Sequence, residues 1–205
     1  MTILQKFNIL SRNILKHLPR NVVNPHDFKE IQQKSLWGYV AIAFNRVDAD
    51  RLKQVGPDRL CAEWLMKNGG AIRTAEAPQR IHKDYNSLPP ENIRFRIKVV
   101  DASGSSIMKI GLEHFKGCHL IDTVIFHQCK HLEGDSLKGL IHLKNSLKVL
   151  QVSACDNISD EGLMVLGELS KLELLRIFEM RYVKDLNKVK QHLITKIPNC
   201  IMDVH

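Results

Sequence analysis

The chain has 205 residues, 44% of them apolar and 25% charged, with five cysteines and a formal charge of +8. That is room for one domain, or for a small domain packed on a second, in a composition too ordinary for a disordered chain. Half of the excess charge (Lys6, Arg12, Lys16 and Arg20) precedes the first acidic residue, Asp27, and aromatic side chains are sparse at 6%, so nucleic-acid binding has little support.

No apolar run approaches the roughly 20 residues needed to span a bilayer; the longest, Leu36 to Phe44, is less than half that and contains Gly38. The five cysteines are odd in number and widely spaced, without a CxxC pair. That pattern reads as a reducing compartment rather than as a disulfide framework or a zinc ribbon.

Along residues 1–20, Ile3, Leu4, Phe7, Leu10, Ile14 and Leu18 recur at steps of three and four, and Lys6, Arg12, Asn13 and Lys16 take the opposite side. A basic, acid-free amphipathic helix is the signature of a mitochondrial transit peptide, and no unbroken apolar core of a secretory signal is present. We assign residues 1–34 to this leader; cleavage is expected within 20–35.

Residues 35–92 read as a helical cap. Ser35 can cap a helix with the stripe Leu36, Trp37, Val40, Ala41 and Phe44, and Asp48 can cap a short one through Leu52. Val55-Gly56-Pro57-Asp58-Arg59 opens a third, with Leu60, Cys61, Trp64 and Leu65 as its stripe and Gly69-Gly70 as its stop. Residues 71–92, which carry Pro78, Pro89 and Pro90, are expected to be an irregular connection into Arg94–Val100.

Residues 93–205 repeat. Ile121, Val124, Phe126, Cys129, Leu132, Leu137 and Leu140 are matched, each 26 positions on, by Leu147, Leu150, Val152, Cys155, Ile158, Leu163 and Leu166. A third copy follows 25 further on (Leu172, Leu175, Ile177, Met180, Val183). A looser first copy places Ile97, Val99, Ile107, Leu112 and Phe115, with a small residue near Ala102 or Ser103 at the Cys position.

This is the LxxLxLxxC/N period of leucine-rich repeats. The predicted fold is α/β: a solenoid of about four such repeats, each a short strand followed by a helix, behind the N-terminal helical cap. Each unit has an apolar side it cannot bury alone, so neighbours must stack. Cys129 and Cys155 are placed at a buried turn, and the acids of Gly134-Asp135-Ser136 and Asp160-Glu161-Gly162 at helix starts, where they complement the helix dipole. No nucleophile–base–orienter set and no phosphate-cradling glycine loop is present, so the chain reads as a binding protein rather than an enzyme.

Specific blocks carry a resemblance that the repeat alone could not. Leu36-Trp-Gly-Tyr39, the run from Ala43 through Val-Gly-Pro-Asp-Arg59, Ala62-Glu-Trp-Leu65, Lys83-Asp-Tyr-Asn86 with Leu88-Pro89, Asp101-Ala102, Ser106-Ile-Met108 and Ile110-Gly111 are similar to the coupling factor B, or subunit s, family of mitochondrial ATP synthase. The likeness extends over roughly 35–205.

The resemblance implies a non-catalytic coupling factor, peripheral on the matrix side of the mitochondrial inner membrane and monomeric in isolation. It would bind membrane-sector subunits of ATP synthase and support coupled proton conduction. It also implies a magnesium ion near the cap, held largely by main-chain oxygens and water, for which Gly56 and Pro90 are the candidates; the bland alternative is a helix cap and a bend. Relatives carry Thr at the Pro90 position, so only a carbonyl ligand could survive here.

Mammalian relatives carry Cys-x-Cys at the second repeat, where this chain has His127 before Cys129, which argues against a dithiol mechanism. His127, Cys129 and His131 are read as a packed Cys with solvated His residues rather than as a zinc site. For the contact surface the candidates are Trp37, Tyr39 and Arg59, large aromatic and Arg residues being common anchors, although Trp37 and Tyr39 could equally be cap core. The alternative function is an assembly factor for the membrane arm of respiratory complex I.

Overall fold

The computed structural model describes residue 38 and residues 40–205; the leader at 1–34, the cap at Ser35, Leu36, and the candidate anchors Trp37 and Tyr39 lie outside the described residues. Residues 40–45 are helical. Asp48 then caps α1 (Ala49–Val55), its carboxylate accepting from the amides of Asp50 and Arg51. Those donors would otherwise be orphans of the helix start. Gly56, at φ 82°, turns the chain directly into α2 (Pro57–Lys67), which opens on proline.

The stretch 71–92 is more ordered than its prolines suggested. It contains β1 (Ala71–Thr74), an isolated bridge between Ile72 and His82, and one 3₁₀ turn at Tyr85–Ser87. Four residues are too few to show a period. β1 exists because β2 offers it an edge to pair with.

The remaining strands are β2 (Ile97–Asp101), β3 (Thr123–His127), β4 (Val149–Ser153), β5 (Leu174–Phe178) and β6 (Ile201–Val204). They form one six-stranded sheet in sequence order, in which only the β1–β2 pair is antiparallel. Parallel neighbours require a crossover, and each repeat supplies one. Leu150 lies beside Val124 and Leu175 beside Leu150, as the period predicts.

Two details of the sequence reading change. In the first copy the residue beside Val124 is Val100, not Val99, and Val100 is the buried one. Ser105, not Ala102 or Ser103, stands at the Cys position, buried with its Oγ 3.9 Å from Cys129 Sγ. β6 carries no repeat signature: its Ile-Met-Asp-Val lacks the LxL pattern, and its side chains are half-buried or exposed.

The segments that follow the strands are mostly 3₁₀ rather than α. They run Lys109–Phe115 and Ser136–Leu143, and the third copy is a five-residue α3 (Asp160–Met164) continuing as 3₁₀ through Glu168. The cause is visible in the spacing: Leu112, Phe115 and Cys118, then Leu137, Leu140 and Leu143, then Leu163, Leu166 and Leu169 each recur at three, and all nine are buried. A 3₁₀ segment has three residues per turn, so an i, i+3 series lies along one edge. Only α4 (Leu186–Lys196), after β5, is a full helix.

A second periodic feature was invisible beforehand. Gln128, Ala154 and Glu179 have φ of 54°, 49° and 57°, and each directly precedes Cys129, Cys155 or Met180. Left-handed backbone costs a non-glycine residue about 1 kcal/mol or more. Ladder bonds from the amide of Gln128 to Ser153 O (3.0 Å) and from Ala154 to Phe178 O (3.3 Å) hold it. One apolar core runs from Cys61 and Trp64 under every strand to Ile197 and Cys200.

Candidate partner-binding site

α2 is unusual in burying three charged side chains, Asp58, Arg59 and Glu63, along with its apolar stripe. Buried charge must be paired or hydrogen-bonded. Each of the three grips the segment 82–97. Asp58 Oδ1 accepts from the amide of Ile97 at 2.8 Å, and burial raises its carboxyl pKa despite that bond. Glu63 accepts from Arg51 Nε at 3.1 Å and Nη2 at 2.6 Å, and from the Tyr85 hydroxyl at 3.2 Å. Arg51 also reaches Glu91 at 2.6 Å.

Arg59 donates from Nη2 to the carbonyls of Pro89 and Pro90, the latter at 2.8 Å, and its guanidinium lies 5.2 Å from the Phe95 ring centroid. It is 5% exposed. A side chain so placed anchors the 82–97 segment and is largely shut away from solvent.

What the cap does leave open is a groove of about 630 Å³. Its walls are Val47, Leu52, Pro57 and Leu60 on one side and Ile110 on the other, with His114 at the floor. The floor is stiff. His114 stacks on Trp64 with centroids 4.8 Å apart and 4° between planes, and its Nδ1 lies 2.9 Å from Gly111 O. Burial, helped by Lys67, holds the imidazole below its ordinary pKa against the opposing pull of Gly111 O, so the floor is uncharged at neutral pH.

Trp64 is fixed in turn by Asn45, and Gly111 must be glycine because a Cβ would stand 2.5 Å from Asn45 Oδ1 and 2.6 Å from the Trp64 ring. Arg46 and Lys116 stand exposed at the rim. Neither forms an ion pair among the described residues. The groove leaves no trace in the sequence because its walls come from stretches fifty or more residues apart.

No family model matches the chain. Over 167 residues it is 34% identical to ATP synthase subunit s, mitochondrial, of Bos taurus, 35% to that of Mus musculus and 34% to that of Homo sapiens, in each case covering 80% of this chain and 83% of the relative.

The chain belongs to the ATP synthase subunit s family.

The carbonyl oxygens of Gly56 and Pro90, the candidates for a magnesium ion, already accept hydrogen bonds in this member of the family. Gly56 O accepts from the Leu60 amide at 3.1 Å, and Pro90 O accepts from both Arg59 and the Ile93 amide at 2.9 Å. A small cation needs free oxygen lone pairs near ideal octahedral geometry. The Pro90 oxygen has both lone pairs engaged, and one partner is already a cation. Among the described residues no group of three or more His, Cys, Asp or Glu side chains could hold a metal ion.

The family member's Cys129 is buried, with its thiol donating to Ala102 O at 3.0 Å. The neighbouring Cys155 thiol, together with burial, pushes the Cys129 thiol well above the ordinary range. His127 points elsewhere, with Nδ1 2.9 Å from Ser153 Oγ, and His131 is exposed. Buried, protonated thiols are poor nucleophiles.

Proposed function

We propose that the protein is a non-catalytic, peripheral component of mitochondrial ATP synthase, binding membrane-sector subunits from the matrix side and supporting coupled proton conduction. The observation that carries this reading is 34–35% identity, over 80% of the chain, to proteins named as mitochondrial ATP synthase subunit s. The acid-free basic helix pattern of residues 1–20 supports import and a leader at 1–34. Among the described residues no helix is long and apolar enough to cross a membrane, in keeping with peripheral attachment.

On this reading the strand and 3₁₀ units at offsets of 24 to 27 are about four leucine-rich repeats, residues 93–205 form the repeat domain, and residues 35–92 form its cap. Trp37 and Tyr39 contribute to the contact surface. The test is deletion of the protein followed by native electrophoresis of mitochondria and measurement of ATP synthesis against respiration. Comigration of the protein with ATP synthase, and looser coupling without it, are the expected results. Comigration with neither respiratory complex, or depletion of assembled complex I with ATP synthase coupling intact, overturns the reading.

A further inference from the structure

We propose that the groove between α1–α2 and the 109–117 segment receives the apolar stripe of an amphipathic helix from the partner, with acidic residues of that helix meeting Arg46 and Lys116. This rests on the partner reading above and names the face that carries it.

Three observations support that occupant. First, the walls are aliphatic, and Val47 and Ile110 remain 37% and 40% exposed. Apolar side chains gathered around one concavity are the feature that marks a contact surface, whereas scattered ones are ordinary. Secondly, the lining offers a ligand few polar groups: the one floor nitrogen assigned a partner, Nδ1 of His114, is taken by Gly111 O. A small polar metabolite would find little to orient it. Helix-in-groove recognition needs only an apolar slot with stiff walls.

Thirdly, the charge at the mouth is positive. Arg46 and Lys116 are exposed, two cations against the one carboxylate in the lining, Glu113, which lies 3.3 Å from His142 Nε2. Charged rims select partners of opposite sign and set their register. Pro57 lies against Gly117, where a Cβ would stand 3.0 Å from the proline ring, so the two walls already meet at that point.

The test uses the full chain. Two synthetic amphipathic helices with the same Leu stripe, one flanked by Glu and its twin by Lys, are titrated by fluorescence anisotropy against wild type, Val47→Glu, Ile110→Glu and, as a control of equal exposure on α4, Ile194→Glu (42% exposed in wild type). The Glu-flanked helix is expected to bind at least about tenfold more tightly than its twin and to lose about tenfold or more in the Val47 and Ile110 variants but not in Ile194→Glu. Equal binding of the twins, or variants that bind like wild type, overturns the proposal.

The same variants expressed in mitochondria lacking the protein should fall off ATP synthase in native gels while Ile194→Glu stays. If wild type itself does not comigrate, the ATP synthase reading fails and the anisotropy result still decides the groove. Flotation of wild type with anionic phospholipid vesicles, lost in the Val47 and Ile110 variants, would make the occupant lipid and overturn the helix.

Discussion

Trp64 Nε1 donates a hydrogen bond to Oδ1 of Asn45 at 3.2 Å, and both side chains are shut away from water. The same oxygen accepts from the Met108 amide at 2.8 Å, and the Asn45 amide group donates to Asn68 Oδ1 at 3.2 Å and Ala41 O at 2.9 Å. One buried amide thus ties the helix at 40–45 to α2 and to the loop after β2.

Asn45→Leu should therefore be far worse than its size suggests. It would strand the Trp64 N–H and the Met108 N–H in a dry site, each costing about 1–3 kcal/mol. We expect a loss of roughly 3 kcal/mol, read as a lower urea midpoint with an unchanged m-value. A change below roughly 0.5 kcal/mol would show that water replaces the amide.

Arg59→Met should loosen one segment rather than the whole protein. The carbonyls of Pro89 and Pro90 would lose a charged donor, which is worth about 1.5–3 kcal/mol, while the strands keep their ladders. Amide hydrogen exchange should speed up at Leu88 and Ile93, whose donors close turns on Tyr85 O and Pro90 O. Exchange in β3 to β5 should not change. Uniform acceleration across the sheet would mean that the segment is part of the global folding unit.

Gly162 stands where a side chain has no room, since a Cβ there would collide with the Gly134 carbonyl of the preceding repeat. Gly162→Ala should destabilise by roughly 1–3 kcal/mol or more through forced separation of neighbouring repeats. At an ordinary helical position the same change would stabilise. Thermal unfolding of the variant gives the sign directly.

His114 makes stability depend on pH. Its folded pKa lies below the unfolded 6.5 because burial disfavours the imidazolium. Below pH 6.5 the unfolded chain therefore takes up a proton that the folded chain refuses. This contribution is complete above 6.5 and is lost as pH falls through the folded value. His114→Phe, which keeps a ring against Trp64, should flatten the unfolding midpoint across that window; an unchanged slope would assign the dependence to other groups.

The repeat itself could be read before any coordinates because it is a one-dimensional signal. Leu150 beside Val124 and the burial of Cys129 and Cys155 follow from apolar residues recurring at the spacing of one strand plus one crossover. The Asp48 and Pro57 helix starts were legible for a similar reason: a cap acts on amides two or three residues away. β6 and β1 were not, since a four-residue strand is defined by the neighbour that pairs with it and not by its own pattern. The 3₁₀ form of the outer segments lay in the spacing of three at Leu137, Leu140 and Leu143, a signal read as helix in general.

What the sequence determined by itself is local: the stacking period, the helix starts, and the membership carried by blocks such as Val55-Gly-Pro-Asp-Arg59. Only the tertiary structure decided which side Arg59 faces, that Pro90 O is engaged by a guanidinium, and that Val47 and Ile110 wall one groove. The physical reason is that side-chain direction and lone-pair occupancy depend on contacts across thirty to sixty residues. Such contacts leave no periodic trace in the chain, because the partners are chosen by packing and not by spacing.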